Sequence, residues 1–222
     1  MPRSVVLVAI ALLLASCGGA TSTASPSPVP SATPAAPVAV VATPSAAYSP
    51  KAEGFDSKQL VQIKRNLSAS APGSVWIGAG ASPDGTGVSA TISDTESFTA
   101  SYQVPVDRQS ADVAYAIYVT PDLPPLPAGL YGESLTLVTV QPGGRSAAHM
   151  HSGIEGVLVL GGNVLVRSGG HDPVTLTKGQ GFYILPKTPV QLINVGSTVA
   201  RTLVYSISPD GAPFSTPVDT AP

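Results

Sequence analysis

Residues Gly143–Gly162 read GGRSAAHMHSGIEGVLVLGG, and this stretch brings two of the three histidines of the chain close to a glutamate. His149 and His151 are two positions apart, so on an extended strand their side chains leave the same face. Glu155 follows after a Ser-Gly pair that favours a turn. Imidazole nitrogens and a carboxylate are ligands that transition metals accept in proteins. The spacing therefore predicts a metal-ligand arrangement built on strands.

The residues after Glu155 alternate as they do on a half-buried strand. Val157 and Val159 share the side of Glu155, which keeps the carboxylate on the inward face. Gly161–Asn163 then supplies the residues of a tight turn. We therefore expect a hairpin that returns the next strand beside this one.

Short apolar runs separated by turn residues continue on both sides of this stretch. They predict strands at Leu135–Val140, Ala147–His151, Gly156–Leu160, Val164–Arg167, Val174–Thr177, Phe182–Ile184, Val190–Asn194 and Thr202–Ile207. Short strands at such regular intervals are typical of a small antiparallel barrel or jelly roll.

The region upstream, 51–121, also has a β pattern for most of its length. We expect strands at Val75–Ile77, Val88–Ile92, Phe98–Val104 and Val113–Val119, with a turn at Pro83–Gly85. These strands could pack against the barrel as an N-terminal extension. Four prolines then predict a loop or a subdomain boundary, at Pro121, Pro124, Pro125 and Pro127.

The start of this extension, Lys51–Leu67, is ambiguous. Asp56 could cap a short helix that carries Leu60, Ile63 and Leu67 on one side, whereas Leu60–Ile63 would fit a strand equally well. We expect a helix here.

The composition of the first fifty residues does not support a hydrophobic core. Residues 1–16 have the charged start, the apolar run and the small residues of an export signal, and Leu14–Cys17 resembles the lipobox of bacterial lipoproteins. That resemblance implies cleavage before Cys17 and lipid attachment to its sulfur; the alternative is an ordinary secretory signal with an incidental cysteine. Residues 17–50 are rich in Ala, Ser, Thr and Pro, which predicts a disordered tether. The expected location is the bacterial cell envelope, at a membrane and facing the extracytoplasmic side.

Composition excludes several classes of function. Cys17 is the only cysteine, so the folded part has neither an internal disulfide nor a thiol nucleophile. A net charge of -2, with 11% charged residues, provides no basic patch for nucleic acid.

Two motifs resemble those of the cupin superfamily. The first follows the family pattern position by position, through Gly143, His149, His151, Glu155 and Gly162. The second is GQGFYILPKTPVQLIN, which has three positions in register at Gly179, Pro186 and Asn194. The resemblance implies a cupin domain over 122–213, followed by a disordered tail at 214–222. The fold expected is all-β: a cupin-type jelly-roll β-barrel preceded by additional β strands and by the disordered N-terminal tether.

For the family, the resemblance implies a divalent metal held in the barrel by two histidines, a glutamate and a third histidine. Here Val190 stands at the position of the third histidine, and Lys187 replaces the usual glycine. Two interpretations remain open. His149, His151 and Glu155 form a three-ligand site for Fe, Mn, Ni or Zn, or the site has decayed and the three form a hydrogen-bonded polar cluster beside Val190.

Three functions fit this sequence. The first is a lipid-anchored extracytoplasmic cupin that binds a small molecule, a divalent metal or both, in a pocket lined by Val190 and Tyr183. The second is a metal-dependent cupin enzyme of the dioxygenase or isomerase type, and the third is a non-catalytic envelope interaction domain. Cupins often dimerise, so the resemblance also implies a candidate homodimer. His171 lies in a predicted exposed turn and is a weaker ligand candidate.

Overall fold

The computed structural model describes residues 51–68, 70–80, 87–104, 116–219 and 222, which all belong to one compact unit spanning 42–222. This part of the chain consists of strands and connections and contains no helix. The strands are β1 Glu53–Leu67, β2 Ala71–Ala79, β3 Val88–Ser93, β4 Glu96–Gln103, β5 Ala116–Val119, β6 Leu123–Leu126, β7 Gly129–Arg145, β8 His149–His151, β9 Ile154–Gly161, β10 Val164–Ser168, β11 Val174–Leu176, β12 Gly181–Ile184, β13 Val190–Asn194, β14 Ala200–Pro209 and β15 Ser215–Pro217.

The strands form two antiparallel sheets. The larger sheet has the order β11-β10-β13-β7-β14-β9-β12, with β1 paired to β7, β8 paired to β13, and β15 paired to β8. It curls into a nearly closed jelly-roll barrel. The smaller sheet has the order β3-β4-β2-β5, with β6 paired to β2. The all-β prediction and all eight strands expected after Leu130 are confirmed.

Two apolar clusters hold the sheets together. One fills the barrel, and the other joins the outer face of the barrel to the smaller sheet. Alternation along β9 serves both clusters, since Val157 and Val159 lie in the inner one while Ile154 and Leu158 lie in the outer one. The upstream strands thus pack on the barrel, and Glu155, in phase with Val157, faces its interior.

The helix expected between Lys51 and Leu67 is wrong, because these residues form β1. β1 pairs with β7 from Glu53↔Arg145 to Leu67↔Gly129, and a bulge between Gln59 and Val61 shifts its alternation by one residue. The spacing of the apolar residues looked helical because this shift breaks the strand pattern. Pairing along a seventeen-residue strand outweighs a weak local preference.

Two predicted connections also differ. The Gly161–Asn163 turn does not close a hairpin, since β9 pairs with β12 and β14 while β10 pairs with β11 and β13. The proline-rich segment is not only a loop, because Leu123–Leu126 forms β6 and pairs with β2 at two positions. Prolines are tolerated on such a short edge strand, where few N–H groups are needed.

The C-terminal end is ordered where we expected a disordered tail, since Ser215–Pro217 forms β15 against β8. The expected signal peptide, Cys17, the tether, the turn at Pro83–Gly85 and the start of the strand at Val113 lie outside the described residues. Within the described ranges no helix is long and apolar enough to cross a membrane.

Candidate functional site

Three side chains predicted from spacing line one cavity inside the barrel. β8 carries His149 and His151, and β9 presents Glu155 from the adjoining segment. The cavity has a volume of about 260 Å³. Most of its wall is apolar, with contributions from Phe55, Val138, Leu192, Val204, Phe214 and Pro217. The site is therefore an apolar pocket with its ionisable groups gathered at one end.

Hydrogen bonds fix the tautomer of both imidazoles. His149 Nδ1 lies 2.8 Å from the Ala147 carbonyl oxygen, and His151 Nδ1 lies 2.8 Å from the Phe214 carbonyl oxygen. A carbonyl oxygen only accepts, so each ring donates from Nδ1 and keeps its lone pair on Nε2. The rings meet edge to face, with centroids 4.6 Å apart. Donation from Nδ1 to a backbone carbonyl is how proteins hold a histidine whose Nε2 binds a metal or a proton.

His151 Nε2 lies 3.0 Å from Glu155 Oε2, and both side chains are almost fully buried. Apart from this contact, the described residues provide no hydrogen-bond partner for His151 Nε2 or for Glu155 Oε1. A lone pair facing an ionised carboxylate at this distance is repulsive unless a proton or a cation lies between them. The pair therefore requires either a shared proton or a cation between the two groups.

Burial sets the protonation of this pair. Removal from water raises the pKa of Glu155 to about 8 and lowers the pKa of His151 to about 4, and the neighbouring His149 adds to the latter shift. Burial also lowers the pKa of His149. At neutral pH Glu155 thus keeps its proton and donates it from Oε2 to His151 Nε2, and the end of the cavity is uncharged.

The imidazole nitrogens and the carboxylate oxygens are of the types that a divalent metal binds, but they do not surround a single point. Two imidazoles with free Nε2 lone pairs and a buried carboxyl without a full set of partners are suitable ligands. In the described part of the chain, however, no three His, Cys, Asp or Glu side chains are placed to hold an ion together. Binding would therefore need the His149 and Glu155 side chains to turn, and would displace the shared proton.

The other predicted residues fall outside the cavity wall. Val190 is paired with His149 in register and packs in the inner cluster, so its side chain lies beside the imidazole but does not line the cavity. The expectation that Tyr183 lines the pocket is wrong, because Tyr183 packs against the outer cluster while its neighbour Ile184 faces inward. His171 lies in an exposed turn, as predicted.

Several wall residues had no local signal in the sequence. Phe55 and Ser57 reach the cavity from β1, and Phe214, Ser215 and Pro217 reach it from the C-terminal end. They lie far along the chain from His149, so spacing around the motif carried no information about them. The alternation of β1 could have indicated Phe55 and Ser57 only if its pairing with β7 had been known.

One protein family and several solved structures are similar to part of this chain. Residues 136–206 match the family described as Cupin domain. No curated protein matches the chain. Among solved structures, an oxalate oxidase in complex with the substrate analogue glycolate is 26% identical, with a TM-score of 0.36, over 39% of this chain and 46% of its own.

Two further structures are similar over a comparable share of the chain. The polyketide cyclase RemF from Streptomyces resistomycificus is 20% identical over 40% of this chain and 62% of its own, with a TM-score of 0.35. A cupin-like protein from Thermotoga maritima is 19% identical over 39% of this chain and 64% of its own, with a TM-score of 0.36. The chain spans less than two thirds of each of these structures. Residues 136–206, which carry His149, His151 and Glu155, are thus the part of the chain that is similar to cupin domains.

Proposed function

We propose that this cupin domain binds a small molecule in the barrel, anchored by a divalent metal that His149, His151 and Glu155 hold. The buried contact between His151 Nε2 and Glu155 Oε2 carries the proposal, since the proton that joins these two atoms over 3.0 Å can be replaced by a cation. A divalent ion in this place also removes the cost of an ionised buried carboxylate. The tautomers set by Ala147 and Phe214 leave both Nε2 atoms free for it.

The cavity limits the ligand to a small molecule. About 260 Å³ accommodates a compound of modest size, and the wall is mainly apolar away from the histidines. The ligand would therefore have an apolar body and an oxygen-bearing group directed towards Glu155. A bound divalent ion would polarise that oxygen as a Lewis acid.

The test is the metal content of the full chain, purified without chelator. We expect close to one divalent ion per chain in the parent protein and its loss in His149→Ala. His171→Ala is the matched control, because His171 is exposed and lies outside the cavity, and it should keep the metal. A parent protein that carries no metal and takes up none of Fe, Mn, Ni or Zn on titration would instead support the hydrogen-bonded polar cluster.

A metal-dependent enzyme is the second candidate, and one observation favours it. Burial raises the pKa of Glu155 to about 8, close to neutral pH, and a group with such a pKa exchanges protons efficiently. In a dioxygenase or isomerase reaction Glu155 would be the proton acceptor. Turnover of a small molecule by the metal-loaded parent protein, lost in Glu155→Gln, would distinguish the enzyme from the binding protein.

We also propose that lipid on Cys17 holds the domain at a membrane surface on the extracytoplasmic side. The apolar run and the small residues before Cys17 support this. Cys17→Ser should release the protein into the soluble fraction. Ser16→Ala keeps a small residue before the cysteine and should leave the protein in the membrane fraction. Retention of Cys17→Ser would contradict the anchor.

A further inference from the structure

The C-terminal strap, which we define as Pro213–Val218, forms one wall of the barrel cavity. Phe214, Ser215 and Pro217 all line it, although they follow the last strand of the barrel in the chain. Phe214 also lines a second, smaller cavity beside the serines of β7 and β14. Phe214 therefore borders both cavities.

Few contacts attach the strap to the barrel. β15 is three exposed residues long and pairs with β8, which is itself only three residues long. Beyond this ladder, Ser152 Oγ donates to the Pro213 carbonyl at 3.1 Å, and the Val218 N–H donates to the Ala148 carbonyl at 3.1 Å. Phe214 remains 47% exposed. Segments held by so little buried apolar surface are those that open locally in proteins while the rest of the fold stays intact.

One strap atom acts directly on the site. The Phe214 carbonyl accepts the Nδ1 hydrogen of His151 at 2.8 Å, and the Phe214 ring packs edge to face on the imidazole at 5.1 Å. His149 has no such dependence, because its acceptor is Ala147, two residues before it in the same segment. Of the two imidazoles in the cavity, only His151 is thus oriented by the C-terminal end.

We propose that the strap is a closing element of the cavity, and that the Phe214 carbonyl is the positioning group that keeps the lone pair of His151 on Nε2. When the strap detaches, Nδ1 loses its acceptor. Solvent entering the open cavity then takes the Nδ1 proton, the proton that Glu155 carries on Oε2 passes over 3.0 Å to His151 Nε2, and solvent returns a proton to Glu155 at Oε1. The result is the tautomer of His151 that donates from Nε2 to Glu155 Oε2. Opening the cavity therefore removes one lone pair from the site, and closing it restores that lone pair.

Two point variants separate an attached strap from a detached one. Because the Val218 N–H points at β8, the alternation of an antiparallel ladder directs the Thr216 N–H to β8 and the Ser215 N–H away from it. Thr216→Pro removes a hydrogen bond to β8, whereas Ser215→Pro is the matched control that leaves the ladder intact. A chain ending at Ala212 removes the strap entirely, and a chain ending at Asp219 keeps it.

The readout is the tautomer of each histidine in the ¹⁵N-labelled full chain, from long-range ¹H–¹⁵N correlations near pH 7.5 without metal. We expect Nδ1–H for His149 and His151 in the parent, in Ser215→Pro and in the chain ending at Asp219. In Thr216→Pro and in the chain ending at Ala212, the Nε2–H form of His151 should become the major one while His149 is unchanged. Unchanged His149 signals also establish that these variants remain folded.

The proposal is overturned if His151 keeps its Nδ1 proton in both strap variants. The tautomer measurement requires no ligand, so it decides the role of the strap even if the proposed function fails. The role in closure does rest on that function. If the strap closes a metal site, Zn²⁺ should bind about 10 to 100-fold more weakly to the chain that lacks the strap, as is typical when the hydrogen-bond partner of a metal ligand is lost. Equal Zn²⁺ affinity in the chains ending at Ala212 and at Asp219 would contradict it.

Discussion

His151 Nε2 and Glu155 Oε2 lie 3.0 Å apart inside the barrel, and the hydrogen bond from His151 Nδ1 to Phe214 leaves the nitrogen without a proton of its own. The contact is stable only when Glu155 is protonated or a cation binds between the two groups. The same two atoms thus determine how the stability of the metal-free protein depends on pH and where a metal would bind.

Glu155→Gln should stabilise the metal-free protein, by an amount that grows as the pH rises. Burial raises the pKa of Glu155 from 4.5 to about 8, so between these values the folded chain holds a proton that the unfolded chain has lost. The free energy of unfolding of the parent therefore contains a contribution that is fully present below pH 4.5 and falls as the pH rises towards 8. Glutamine does not ionise, so the free energy of unfolding of the variant does not fall in this way as the pH rises. The advantage of the variant should widen by up to about 1.4 kcal/mol per pH unit over this range.

Urea denaturation in chelator at a series of pH values measures this difference. The lowered pKa values of the two histidines act in the opposite direction below pH 6.5, but they are common to both proteins and largely cancel in the difference. Glu53→Gln, whose side chain is 74% exposed, controls for the loss of one carboxylate. A constant gap between parent and Glu155→Gln across the pH series would mean that Glu155 ionises freely when folded.

Val190→His should strengthen divalent metal binding. Val190 is paired with His149 across β8 and β13, so an imidazole at this position leaves the strand on the same face and beside the existing one. A fourth protein ligand should raise affinity by at least about 10-fold, the usual minimum effect of a supporting group. Calorimetric titration with Zn²⁺ measures it.

Val190→Gln is the control for Val190→His, because it adds a polar side chain of similar length without an imidazole. It should destabilise the inner cluster without the gain in affinity. If the histidine variant binds Zn²⁺ no better than the parent, Val190 does not occupy the position of the missing ligand, and the register of the second motif is wrong.

The sequence predicted what depends on near neighbours in the chain. Strands after Leu130 followed from local alternation, and His149, His151 and Glu155 reached one cavity because they lie within seven positions on two successive strands. Tyr183 was expected to line the pocket but lies on the outer face of the barrel, because successive residues of a strand point to opposite faces of the sheet.

What depends on distant pairing was not predictable. β1 looked helical because its partner, β7, begins more than sixty residues later, and a bulge interrupts its alternation. The strap carries Phe214, 63 residues from His151, in a segment whose small and proline-rich composition suggested disorder. In both cases the order comes from backbone hydrogen bonds to another strand, which side-chain patterns do not encode.

Lys187→Gly should stabilise the fold by about 0.5 to 1 kcal/mol. Among the described residues, Lys187 alone has a positive φ without being a glycine, with φ of 60°. This conformation costs a side chain with a Cβ about 1 to 2 kcal/mol, and glycine avoids that cost while losing part of the gain through unfolded-chain entropy. The Lys187 N–H donates to the His151 carbonyl at 2.8 Å, a bond that the substitution keeps.

The control for this position is Lys187→Ala, which removes the charge and the long side chain but retains Cβ. It should give no stabilisation. Chemical denaturation of the three proteins at one pH suffices, and equal stabilisation by alanine and glycine would assign the effect to the lysine side chain rather than to the backbone.

Gly156→Ala should destabilise the protein by about 1 to 3 kcal/mol, as overpacking of a tight core does. A Cβ at Gly156 would lie 2.7 Å from Val75 Cγ1, at the point where β9 meets β2. Gly161 on the same strand has nothing within 4 Å of its Cβ position, so Gly161→Ala should be close to neutral. If close packing of the sheets is the cause, Val75→Ala should be less harmful in the Gly156→Ala background than alone, because it removes the clashing methyl. Additive effects in this double-mutant cycle would mean that the smaller sheet does not pack on the barrel at Gly156.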